Sequence, residues 1–111
     1  MKFYIVNNLN ENIKILMRGA GYRFQGESGE DLEMSFVRPL RRDNYPRFHV
    51  FLTVSQKTNE IIFDLHLDQK KASYEGSSAH SGEYSGDLVQ AEADRLKKIF
   101  KEHDSCPGSS R

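Results

Sequence analysis

Two stretches of strict alternation dominate the chain. Over 47–54, Phe48, Val50, Leu52 and Val54 alternate with His49, Phe51 and Thr53. Over 61–68, Ile61, Phe63, Leu65 and Leu67 alternate with Ile62, Asp64, His66 and Asp68. A side-chain period of two belongs to a half-buried strand, and the polar segment 55–60 between the runs predicts an antiparallel hairpin. A one-residue slip would turn an apolar face outward, so only in-phase registers are allowed. One sets His49 opposite His66 and Val50 opposite Leu65; the next sets His49 opposite Asp68. Both gather His49, His66 and Asp68 on the face away from the apolar one.

The rest of the pattern is less regular. Residues 2–6 read as a short strand or extended lead-in. Asn8 with Glu11 makes a capping-box pattern, and Leu9, Ile13, Leu16 and Met17 then share a helical face, predicting a helix over 9–18 that Gly19 or Gly21 stops. A strand starts at Tyr22, residues 26–31 are turn material, and 32–38 is a further strand ended by Pro39. Residues 69–86, rich in Ser, Gly and charge, read as a long surface loop of the kind that carries function. Asp87 with Gln90 opens a second helix running to about His103. Its apolar side holds Leu88, Val89, Ala93, Leu96, Ile99 and Phe100, with Glu92 and His103 near the middle of that side. The expected fold is α+β: a mainly antiparallel sheet of about four strands with two helices packed on one face. The domain is expected over 1–103, with 104–111 a frayed tail. The helix ending at Gly21-Tyr22, followed by strands and a closing helix, resembles in order of elements the double-stranded-RNA-binding-like fold of HicA-type toxins. The Gly-Ser-His triplet of those toxins has no counterpart, Gly29-Glu30-Asp31 standing here instead, so membership does not follow.

Composition narrows the function classes. A chain of 111 residues fits one domain. Sixteen Lys and Arg balance sixteen Asp and Glu, which excludes a globally basic nucleic-acid coat and an acidic solvating tail. The single cysteine, Cys106, excludes an intramolecular disulfide and a multi-cysteine zinc site. No apolar run approaches the roughly 18–20 residues of a membrane span, and the run at 1–6 is too short for a signal-peptide core. A cytoplasmic protein without a membrane partner is the expectation.

The candidate chemistry lies on the polar face of the hairpin. His66 and Asp68 point the same way from one strand, and His49 joins them from its neighbour. The following loop brings His80 and Glu83 within reach. Imidazoles plus carboxylates make a first shell for a divalent metal, zinc or manganese, and an open position on it would activate water for hydrolysis. Without metal, His49 and His66 could serve as general base and acid on a phosphodiester, with Lys70 or Lys71 offsetting charge in the transition state. Glu92, acidic on an apolar stripe, is a candidate base or ligand if the helix brings it to the cluster. Arg38, Arg41, Arg42 and Arg47 crowd one connection, which should lie at the same sheet end as Asp68, Lys70 and Lys71. Their forked donors suit phosphate oxygens. The expected partner is RNA, DNA or another phosphate-containing ligand. The alternatives are a non-catalytic nucleic-acid-binding module using the arginine-rich connection, and a protein-interaction module (an adaptor or inhibitor) in which the histidines only hydrogen-bond on a sheet surface.

Overall fold

The computed structural model describes residues 1–29, 33–69, 82–83 and 86–104. In chain order these form β1 (Lys2–Val6), α1 (Ile13–Gly19), β2 (Arg23–Ser28), β3 (Glu33–Pro39), β4 (Arg47–Ser55), β5 (Glu60–Asp68), β6 (Gly82–Glu83) and α2 (Asp87–Glu102). The sheet is antiparallel in the order β1-β5-β4-β3-β2. It therefore has five principal strands where the sequence pattern suggested about four. The two-residue β6 also pairs with β5, Leu67 opposite Glu83 and Asp68 opposite Gly82.

The hairpin takes the first of its two allowed registers. His49 lies opposite His66, Val50 opposite Leu65 and Arg47 opposite Asp68. The turn includes Asn59 at φ 56°, a left-handed position that asparagine tolerates better than most residues. β3 pairs along β4 with Val37 opposite His49 and Ser35 opposite Phe51. Between β2 and β3 the register shifts at Phe24/Gly26. A β-bulge here carries the strand past the expected turn to Ser28.

Both helices cover the same sheet face. Leu16 and Met17 of α1, and Val89, Ala93, Leu96 and Phe100 of α2, close over Phe3, Phe36, Phe48, Val50, Leu52, Ile61, Phe63, Leu65 and Leu67. Phe63 stacks on Phe3 and meets Phe100 edge-on, a pair of geometries that aromatic quadrupoles favour. α1 begins four residues later than the pattern predicts. Leu9 bridges to Asp104 and the Asn10 amide donates to the His103 carbonyl, so residues 9 and 10 are tied to the end of α2 instead of starting a helix. Asn12 then caps, its side chain accepting from the Lys14 amide at 2.8 Å. α2 starts from Gly86 with no side-chain cap, while Gln90 is turned along the helix to donate to Asp94. Leu88, expected on the apolar side, is exposed. Asp104 thus belongs to the folded body, and 105–111 of the expected tail lie outside the described residues. No helix among the described residues is long and apolar enough to cross a membrane.

Glu92, the acid on the apolar side of α2, lies inside this core. It is 4% exposed. Tyr22 donates its hydroxyl to Oε2 at 2.6 Å, and Arg95 grips both carboxylate oxygens at 2.8 and 2.9 Å. Arg38 adds a contact at 3.3 Å. Arg38 gets there past Gly21, whose φ is 98° and where a Cβ would stand 3.2 Å from Arg38 Nε. Burial, then the carboxylate, drives the Tyr22 phenol far above its ordinary value, and the hydrogen bond to Glu92 raises Arg95. Glu92 is thus a structural counter-ion under the helix. Removing one partner of a buried ion pair strands the others. Glu92→Ala should therefore lower stability by about 3–5 kcal/mol, read as a reduced urea midpoint at unchanged slope.

Candidate metal centre on the outer sheet face

The face turned away from the helices carries the other carboxylate. β5 projects His66 and Asp68 two residues apart, β4 projects Arg47 and His49 opposite them, and β3 adds Ser35. Asp68 accepts from three donors: His66 Nε2 at 2.9 Å on Oδ1, and His49 Nδ1 at 3.2 Å with Arg47 Nε at 3.3 Å on Oδ2. The His49 and His66 rings lie 5.0 Å apart, with Phe51 closing on both. His66 is buried, and the side chains of His49 and Asp68 are 16% and 18% exposed. Partial burial is what makes these contacts stronger than an exposed ion pair.

One ligand atom from each of His49, His66 and Asp68 fits within 4.8 Å of the other two. Zinc bonds of about 2.0 Å at tetrahedral angles set donor atoms roughly 3.3 Å apart; here the carboxylate oxygens lie 3.2 Å from His49 Nδ1 and 2.9 Å from His66 Nε2. As it stands, the carboxylate bridges one nitrogen of each ring. An ionised carboxylate only accepts, so the ring nitrogens facing it carry the protons. A cation bound there would replace those protons, which is the usual chemistry of an imidazole–carboxylate site.

The remaining expected site residues divide. Arg47 joins the cluster, its guanidinium also 4.7 Å from the Tyr45 ring. Arg41 and Arg42 are exposed on the connection between β3 and β4. That connection leaves the sheet at the Asp68 end, because Pro39 and Asp68 both pair with Arg47. Two expectations are corrected. Arg38 does not join this patch, since alternation along β3 puts it with Phe36 on the helix face, where it meets Glu92. Glu92 does not reach the histidines, because the sheet lies between them. Of Glu83 the structure describes only the backbone, registered with Leu67. His80, Lys70 and Lys71 lie outside the described residues.

Ser35 is the residue that sequence reading missed. Its hydroxyl is 2.7 Å from His49 Nε2. Nothing marks it locally; its place follows only from the β3–β4 pairing, which puts alternate residues of β3 on the same face as His49. Comparison of the chain with protein families, with curated proteins and with solved structures returns no match.

Desolvation lowers the His49 pKa below its usual 6.5; Asp68 opposes this, while His66 and Arg47 add to it. A base whose folded pKa is depressed binds protons more readily when unfolded. His49 should accordingly contribute full stability above about pH 6.5, and lose it as pH falls through the lower folded value. In paired urea titrations, the wild-type midpoint should drop relative to His49→Gln on acidification below that point. A wild type that gains on the variant there would contradict the assignment.

Proposed function

We propose that the chain binds one divalent metal, zinc or manganese, through His49 Nδ1, His66 Nε2 and the Asp68 carboxylate, and uses it to hydrolyse a phosphate-containing substrate. The observation that carries this reading is the convergence of three ligand atoms within 4.8 Å on a half-buried face. Three protein donors leave a tetrahedral ion one open position, as catalytic zinc sites do. A water held there would have its pKa lowered toward neutrality and become the nucleophile. Arg47, adjoining Asp68, and the exposed Arg41 and Arg42 at the same sheet end favour an anionic substrate whose oxygens accept from guanidinium forks. A phosphodiester, free or within RNA or DNA, meets that description.

Binding should be visible as stability. At a hundred times the dissociation constant, a ligand specific for the folded state adds about 2.7 kcal/mol, or roughly 10 °C in melting temperature for a domain of this size. Protein purified without chelator should carry about one equivalent of metal by elemental analysis, and EDTA should reverse the melting shift. His66→Ala should lose both the metal and the shift. Absence of stoichiometric metal and of any shift would end this reading.

The catalytic half has its own test. Metal-loaded protein should cleave bis(p-nitrophenyl) phosphate, and Arg47→Ala should reduce kcat/KM about 10- to 100-fold while retaining metal, in keeping with the loss of one charged hydrogen bond worth about 1.5–3 kcal/mol. Metal binding without cleavage would leave a structural or sensory ion.

A further inference from the structure

The same face contains a second constellation, which joins Ser35 to two residues of the proposed metal site. Ser35 Oγ, His49 and Asp68 form a continuous hydrogen-bonded line: 2.7 Å from Oγ to Nε2, then 3.2 Å from Nδ1 to Oδ2. The polarity of that line is set at the acid end. Asp68 has only lone pairs to offer, so His49 presents Nδ1–H to it. In the neutral ring Nε2 is then an acceptor, and the bond at 2.7 Å must be the Ser35 hydroxyl donating to it. A serine donating to an imidazole that is in turn fixed by a partly buried carboxylate is the arrangement that activates an alcohol nucleophile, whatever the order in sequence. His66 and Arg47 hold the carboxylate in place from the other side.

Access is available at the hydroxyl. On β2 the residue registered with Ser35 is Gly26. A Cβ built there would meet nothing within 4 Å, so among the described residues the β2 flank of the serine is open. On the other flank stands Phe51, partly buried and packed on both histidines.

We infer that, in the metal-free protein, Ser35 is a nucleophile with His49 as its general base, able to attack activated acyl or phosphoryl centres that approach over Gly26. In the covalent step a new Oγ–P or Oγ–C bond forms as the bond to the leaving group breaks. The hydroxyl proton passes to His49 Nε2, and the leaving group departs with the electron pair. The inference shares His49 and Asp68 with the proposed metal site. It does not need that site to be filled, for metal on Nδ1 requires the opposite tautomer, in which Nε2–H donates to Ser35. Metal and activated serine are therefore mutually exclusive states of one group.

The test is covalent labelling of the full chain, stripped with EDTA, by a fluorophosphonate probe. The Oγ–P bond forms, fluoride leaves and the proton goes to His49. Mass mapping should place the adduct on Ser35. Ser35→Ala should abolish it, and His49→Gln, with its fold checked by circular dichroism, should slow it at least about 100-fold, the lower bound for a positioned general base. Added zinc should suppress labelling of the wild type. Labelling of Ser35 no faster than of serines in the urea-unfolded chain, or undiminished in His49→Gln, would overturn the inference, whether or not metal binds. Labelling that zinc leaves untouched, in protein that takes up no metal, would instead sustain the serine and remove the metal site.

Discussion

Everything in this protein depends on the phase of one pairing, β4 against β5. With Val50 opposite Leu65, the apolar side of both strands faces the helices. Their polar side must then put His49 against His66 and Arg47 against Asp68. The core and the cluster are two faces of the same constraint. A slip of β5 by one residue against β4 would turn His66 toward the helices and expose Phe63 and Leu67. The driving force for the core thus enforces a site that contributes little to that force itself.

The two faces handle an acid withdrawn from water in different ways. Beneath the helices, Glu92 is held by guanidinium groups and a phenol. Guanidinium does not release its proton in water, so those donors stay in place and the network acts as a fastener. On the outer face, Asp68 is held mainly by imidazoles. Imidazole changes charge and tautomer near neutral pH, and its nitrogens are metal ligands when deprotonated. The choice of partner, more than the acid, separates a structural carboxylate from one with chemical options.

Those options converge on His49. One ring nitrogen addresses Asp68 and the other addresses Ser35, so the ring can polarise the hydroxyl or lean on it, but not both at once. A cation on His49 Nδ1, as proposed, would select one tautomer, and a bare carboxylate the other. Phe51 packs against both rings, and the two states differ in which nitrogen of His49 carries the proton.

The sequence by itself determined the hairpin, the inward apolar face, the α+β class and the grouping of His49, His66 and Asp68. These follow from side-chain period, a local property that any in-phase pairing must respect. It did not determine that Leu9 bridges to Asp104, which delays α1, because that contact joins distant ends of the chain. Nor did it separate the arginines: Arg38 and Arg47 sit close in sequence yet fall on opposite faces, and Glu92 has a salt-bridge partner in Arg38 only once β3 is laid beside β4 and α2 beneath both. Ser35 became part of the site through the same strand pairing. Alternation says which side of a strand a residue occupies; only tertiary structure says which strand lies next to it, and hydrogen bonds at 2.7 Å are decided by that neighbour.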